Sequence, residues 1–190
     1  MNNVAINDQN TIVSPGKSWL KGYYTVRALF SAAWVALAFT VGKSQPSVAI
    51  ALLIIYPAWD CIANYYDAKR SGGLGSNPTQ LWNMVVSAIV TLAVAFAATR
   101  DFHAIIGVIG FWAILSGLLQ LSTAIRRWGS AGAQWPMILS GGQSALAGGF
   151  FVKMAFTAAP ANIAIVAGYA AFGAIYFAIS AAVLAFSARR

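Results

Sequence analysis

The acidic side chains are few, and one of them stands inside an apolar segment. The sequence has no glutamate, and its four aspartates are Asp8, Asp60, Asp67 and Asp101. Only Asp60 lies well inside an apolar segment, where a charged side chain costs about 2.5 to 3.5 kcal/mol on insertion scales. Such a carboxylate is expected to face other helices and either pair with a cation or take up a proton. These are the two kinds of chemistry that Asp60 offers.

Three polar residues accompany Asp60 at helical spacing. Tyr56, Asn64 and Asp67 stand four residues before it, four after it and seven after it, so one face of a helix carries all four side chains. Arg27 is the expected partner, because it lies about one turn inside the first apolar segment and Asp60 lies about two turns inside the same end of the second. An arginine side chain can reach across that gap.

Three interpretations of this cluster stay open. A pair of Arg27 with Asp60 or with Asp67 would fix the register of two neighbouring helices. A site of Asp60, Asn64 and Tyr56 would bind a proton or a small solute. In the third interpretation, Asp60 faces an aqueous vestibule. Further along the chain, Asn83 and Ser87 in the third segment and Gln120 in the fourth form similar polar stripes, which usually act as hydrogen bonds between helices worth about 0.6 kcal/mol each.

Histidine and cysteine are too scarce to build most catalytic or metal sites. His103 and Cys61 are the only residues of their types, whereas catalysis needs a nucleophile with a base or a metal with several ligands. The sequence therefore predicts no enzyme, no metal site and no cofactor. Cys61 is interpreted as a small apolar residue. His103 is expected in an outer turn, either as an ordinary solvated residue or as a sensor of external acidification, because imidazole changes its protonation near neutral pH.

The elements that must position these residues are apolar helices. At 59% apolar and only 8% charged residues, the 190-residue chain departs strongly from soluble domains. A hydrocarbon core of roughly 30 Å is crossed by about 20 apolar residues in a helix. The sequence predicts an all-α polytopic membrane protein with six such helices, at residues 23–41, 47–66, 81–98, 104–125, 136–156 and 161–186.

The basic residues predict how these helices are oriented. Cytoplasmic loops carry an excess of lysine and arginine, and three such residues, Lys43, Arg100 and Lys153, fall on one side. The other side is the one that carries both termini. Its nine basic residues are Lys17, Lys21, Arg27, Lys69, Arg70, Arg126, Arg127, Arg189 and Arg190. Both termini are therefore expected in the cytoplasm, with a tail at residues 1–20 and one transmembrane domain at 21–190.

The net charge of +8 does not point to nucleic acid. The basic residues lie between or beside the apolar segments, whereas a nucleic-acid-binding protein gathers them on one face. The expected partner is the lipid bilayer, and a homo-oligomer stays open.

The sequence also repeats itself weakly. Three parallel helical hairpins are predicted at residues 21–70, 79–128 and 134–190. Superposing the first two places Asp60 on Ser116 and Asn64 on Gln120. All three hairpins enter from the same side, which makes them parallel repeats.

In its length, its three hairpins and its turns at residues 43–46 and 158–160, the chain resembles the HdeD-like family of small bacterial inner-membrane proteins. The resemblance covers roughly residues 20 to 187. It implies a fold of three two-helix repeats, a place in the inner membrane and an association with acid resistance, and it supplies no catalytic residues.

Two functions follow as expectations. The first is a non-enzymatic inner-membrane protein of this type that acts in envelope or acid stress. The alternative is a small proton-coupled transporter or channel, in which Asp60 is the protonatable group and its neighbours are Tyr56, Asn64, Asn83 and Gln120. Parallel hairpins count against the alternative, because many secondary transporters have inverted halves and interrupted helices.

Overall fold

The fold is all-helical over the residues that the structure describes. A computed structural model describes residues 16–130 and 134–187, and within them it contains helices and turns but no strand. The six α-helices are α1 (Lys17–Leu37, continued by a π-helical turn at Ala38–Gly42), α2 (Pro46–Arg70), α3 (Pro78–Ala97), α4 (Phe102–Arg126), α5 (Gln134–Ala155) and α6 (Ile163–Ser187). The all-α class is thereby confirmed for the described residues.

The helix ends follow from local sequence. Pro46 and Pro78 occupy the first turns of α2 and α3, where the missing proline N–H costs no hydrogen bond. Asp101 caps α4, because its carboxylate accepts a 2.8 Å hydrogen bond from the backbone N–H of Ala104. Helix α1 begins at Lys17, four residues before the predicted start of the domain, and α2 extends to Arg70. Asp8, most of the predicted tail, and Arg189 and Arg190 lie outside the described residues.

Five of the six helices are long and apolar enough to cross a membrane: α1 with its π-helical turn, α2, α3, α4 and α6. Helix α5 is also 22 residues long. It is not among the five candidate spans, and it contains four glycines and several polar residues.

The helices form a closed ring in chain order. Each helix packs against the next one, and α6 returns to pack against α1. The most extensive contact joins α4 to α5, followed by α1 with α6 and α2 with α3, whereas α1 and α2 touch least. These three most extensive contacts each join two different predicted hairpins, and none of them lies within one hairpin.

Apolar residues close one end of this ring. The larger hydrophobic cluster gathers at the end where α1 finishes and α4 begins, around Trp34, Leu53, Val94 and Ile106. A smaller cluster, which includes Leu20 and Phe177, packs α1 against α6 towards the other end. Polar side chains lie in the interior below the larger cluster.

Candidate functional site

Asp60 is buried in the ring interior and fully engaged. Its residue is 5% exposed, and its carboxylate forms an ion pair with the guanidinium of Arg27 from α1. The second carboxylate oxygen accepts hydrogen bonds from Asn64 Nδ2 at 3.0 Å and from Ser87 Oγ of α3 at 2.9 Å. Three donor side chains, one of them charged, therefore point at this carboxylate.

Arg27 is held by aromatic side chains as well as by Asp60. One guanidinium nitrogen donates to the hydroxyl of Tyr23 at 2.9 Å, and the guanidinium carbon lies 4.4 Å from the ring centroid of Phe177 in α6. Such a cation–π contact stabilises a buried cation. The Nε of Arg27 has no hydrogen-bond partner among the described residues. Arg27 thus connects three helices, α1, α2 and α6.

A second layer of hydrogen bonds orients the groups around Asp60. Trp112 of α4 donates a hydrogen bond from Nε1 to Ser87 Oγ at 3.0 Å. The serine hydroxyl in turn donates its hydrogen bond to Asp60. Asn83 of α3 donates to Asn64 Oδ1 at 3.3 Å, which leaves the amide of Asn64 facing the carboxylate. Helices α2, α3 and α4 are thereby joined at one level of the ring.

Asp67 belongs to a different ion pair, nearer the start of α1. Its Oδ2 accepts hydrogen bonds from Arg127 at 3.0 Å and from Gln80 Nε2 at 3.2 Å, and Arg127 also donates to Ser71 Oγ at 3.0 Å. Both Asp67 and Arg127 are about 5% exposed or less. Of the two pairs that the sequence left open for Arg27, the structure contains the one with Asp60. Asp67 lies seven residues, or about 10 Å along the helix, from Asp60 and pairs with Arg127.

Two small polar cavities lie beside these two ion pairs in the ring interior. Each has a volume of about 40 Å³, which suits a few water molecules and is far below the roughly 300 Å³ of a small-molecule pocket. Both are lined by Arg27, Asn83 and Gln120. The first also reaches Asp60 and residues of all six helices, and the second reaches the Asp67–Arg127 pair.

Tyr56 and Gln120 also reach this interior. Tyr56 lines the first cavity with its ring packed between Trp34 and Trp112, at centroid distances of 4.6 and 5.6 Å. Gln120 lines both cavities and donates to the carbonyl of Met137 at 3.3 Å. The structure thus brings Arg27, Tyr56, Asp60, Asn64, Asn83 and Gln120 to one interior, with Asp67 at its edge. That this interior is a functional site stays a prediction.

His103 lies away from the interior, at the start of α4. Its Nε2 is 2.9 Å from the carbonyl oxygen of Ala159, in the turn between α5 and α6. A carbonyl only accepts, so Nε2 carries the hydrogen, and protonation at Nδ1 would leave this bond in place. No cluster of three or more His, Cys, Asp or Glu side chains suited to a metal ion occurs in the described part of the chain.

The sequence-based prediction missed several contributors to the site. Arg127 was counted as a basic residue beside the membrane, although it contacts Asp67, which lies 60 residues before it in the sequence. Tyr23 and Phe177 were given no role at the site, and both flank Arg27. One available signal was the position of Arg127 directly after α4, where the guanidinium can turn inward or outward.

Comparisons with known proteins identify no relative of this chain. No family model, no curated protein and no solved structure matches the chain. The functional argument therefore depends on the residues and the geometry of the ring.

Proposed function

We propose that this chain is a non-enzymatic integral protein of the bacterial inner membrane, of the HdeD-like type, with six spans and both termini in the cytoplasm. In this proposal it acts in envelope or acid stress, and its buried ion pairs fix the arrangement of the helical ring. The observation that carries the structural role is that Asp60 is already engaged by Arg27, Asn64 and Ser87. A carboxylate held in this way is suited to fixing helix register.

The contacts of α5 support a sixth span. Its 22 residues would extend about 33 Å, enough to cross the hydrocarbon core. Its polar residues Ser140, Gln143 and Ser144 line the interior cavity, so they are not exposed to the lipid tails. Their inward position accounts for a span of low hydropathy.

The ion pairs also bear on the proposed orientation. Arg127 is buried and Arg27 largely so, and both are paired with aspartates in the ring, so they add no free charge beside the membrane. Removing both from the count leaves seven basic residues on the side of the termini against Lys43, Arg100 and Lys153 on the other. The bias still favours cytoplasmic termini.

A double-mutant cycle on the central ion pair tests the structural role. Arg27→Gln and Asp60→Asn each leave the other group buried without its partner, and each should lower the free energy of unfolding by about 3–5 kcal/mol. The double variant should lose less than either single variant, because no uncompensated charge remains. Reversible unfolding in detergent micelles measures all three, and Lys153→Gln, which removes an exposed charge from α5, is the control. Additive losses would reject the structural role of the pair.

A proton-coupled transporter or channel is the second candidate, and the two polar cavities favour it. One lies at the Asp67–Arg127 pair and the other at Asp60, and Arg27, Asn83 and Gln120 line both. In this candidate Asp60 is the protonatable group, and the apolar cluster around Trp34 and Ile106 must open to complete a route through the ring. Proton flux into proteoliposomes tests it. A flux that Asp60→Asn abolishes would favour transport, and a flux unaffected by that change would reject it.

The stress role rests on the resemblance and is tested in cells. Bacteria that lack this protein should survive an acid challenge less well than complemented cells. His103→Gln in the complementing copy tests the proposed pH sensor, since glutamine keeps a donor for Ala159 but gains no charge in acid. Full protection by that variant would reject His103 as the sensor, and equal survival without any copy would reject the stress role.

A further inference from the structure

A groove separates α1 from α2 on the outside of the ring. It has a volume of about 290 Å³ and an apolar accessible wall. The wall residues stand at positions i, i+3, i+4 and i+7 on both helices: Trp19, Gly22, Tyr23 and Val26 on α1, and Trp59, Ile62, Ala63 and Tyr66 on α2. These spacings place each set on one helix face, so the groove runs along two turns, or about 10 Å.

The groove lies directly against the polar interior. Tyr23 borders both the groove and the second polar cavity, and Trp59 borders both the groove and the first. Arg27 borders all three spaces. Three side chains therefore form the partition between the buried Arg27–Asp60 pair and the outside of the ring. An apolar occupant of the groove would keep water away from that partition.

Positive charge stands at the end of the groove nearest the start of α1. A second concavity of about 370 Å³ shares Trp19 and Tyr66 with the groove and is completed by Lys69 and Arg70. The guanidinium carbon of Arg70 lies 5.0 Å from the ring centroid of Trp19, so this cation stands over the groove's mouth. Both basic residues are exposed and form no ion pair with any described carboxylate.

We propose that this groove binds one anionic phospholipid, with an acyl chain between the aromatic walls and the phosphate at Lys69 and Arg70. The inference rests on the membrane location in the proposed function. The apolar walls match an acyl chain, and the two basic residues match an anionic headgroup, since each lysine or arginine near a membrane surface contributes attraction for anionic lipid. The bound lipid covers the partition formed by Tyr23, Trp59 and Arg27 over the Arg27–Asp60 pair.

Native mass spectrometry of the purified protein with dioleoylphosphatidylglycerol or dioleoylphosphatidylcholine tests this proposal. The wild type should bind one phosphatidylglycerol roughly tenfold more tightly than phosphatidylcholine. Lys69→Gln with Arg70→Gln should reduce that preference to nearly none. Lys43→Gln with Arg100→Gln, the same charge change at the opposite helix ends, should preserve it.

A second pair of variants tests the groove itself. A Cβ added at Gly22 meets no atom within 4 Å, and the same is true of Gly149 on α5. Gly22 lines the groove, so Gly22→Leu would place an apolar side chain in it and should remove the tight site, whereas Gly149→Leu should keep it. Equal binding of the two lipids by the wild type, or a tight site that survives Gly22→Leu, would overturn the proposal.

A separate measurement shows whether the protein is in the membrane at all. If the proposed membrane location is wrong, its result differs from that of a missing lipid site. In that case the chain would leave the membrane fraction on alkaline carbonate extraction, before any lipid is added. Retention there without preference for phosphatidylglycerol rejects the lipid site alone.

Discussion

Two seams of the ring are built from opposite kinds of residues. Along α4 and α5, Gly110 faces Gly148 and Gly117 faces Gly141 so closely that an added Cβ would come within 2.5 to 2.9 Å of the facing carbonyl oxygen. Along α1 and α2, large aromatic residues such as Trp19 and Trp59 flank a groove of about 290 Å³. Small residues bring backbones together, and bulky residues hold them apart.

The two seams are also stabilised by different forces. Lipid is as apolar as a helix surface, so the α4–α5 seam depends mainly on van der Waals contact between backbones. Hydrogen bonds from Gln120 to the Met137 carbonyl and from Ser144 to the Ala113 carbonyl accompany that contact. Helix α2 packs along α3 but touches α1 little, and buried ion pairs join it to α1 through Arg27 and to the end of α4 through Arg127. Close packing on one side and buried ion pairs on the other should respond differently to substitution.

The largest effect is expected where a buried charge on α2 loses its partner. Arg127→Gln would leave Asp67 unpaired in the interior and should lower the free energy of unfolding by about 3–5 kcal/mol. The neighbouring Arg126→Gln is the control, because Arg126 is half-buried and makes one hydrogen bond, to Thr79. It should cost about 1 kcal/mol or less. Equal losses in detergent unfolding would show that the Asp67 pair contributes no more than an ordinary hydrogen bond.

A smaller loss of stability is expected from adding a methyl group to a glycine that has no room for it, at the α4–α5 seam. A Cβ at position 148 would lie 2.5 Å from the carbonyl oxygen of Gly110 and 2.7 Å from the N of Ile114, so Gly148→Ala must push two backbones apart. Overpacking of this kind costs about 1–3 kcal/mol, or roughly 2–10 °C in Tm for a chain of this size.

The adjacent glycine provides a matched control for that change. Gly149 meets nothing within 4 Å, so Gly149→Ala should leave Tm unchanged or raise it slightly through helix propensity. Helix propensity favours alanine at both positions, so a Gly149→Ala variant that unfolds as early as Gly148→Ala would mean that close contact between α4 and α5 does not explain the loss at position 148.

Local pattern predicted the helices, and it also named Arg27–Asp60 as one of two possible pairs, because both residues stand at similar depths in consecutive segments. The contacts between distant segments were not available in the same way. Gly141 and Gly142 look alike in the sequence, yet only Gly141 meets α4, and Gly117 gains its role from a helix that follows it by two dozen residues. Which face of α5 turns inward depends on how the ring closes, and no single segment encodes that.

Arg127 illustrates the same limit for charge. A basic residue directly after a span is ordinarily a topology signal, so the sequence favours a solvated position. In the structure, α2 and α4 end close enough for the guanidinium to reach Asp67 and Ser71. Helix adjacency therefore decides whether such a residue orients the protein or joins its core.

The smallest effect is expected at the open seam, where a glycine has room. Gly22 is exposed on α1, and a Cβ there would meet no atom within 4 Å, in contrast to Gly148. Gly22→Ala should therefore raise the free energy of unfolding, by up to about 1 kcal/mol, because alanine has the higher helix propensity. Unfolding in detergent micelles measures the change beside Gly148→Ala. A loss at Gly22 of the size expected at Gly148 would mean that α1 and α2 close on each other in the micelle, and the contrast between the two seams would then be wrong.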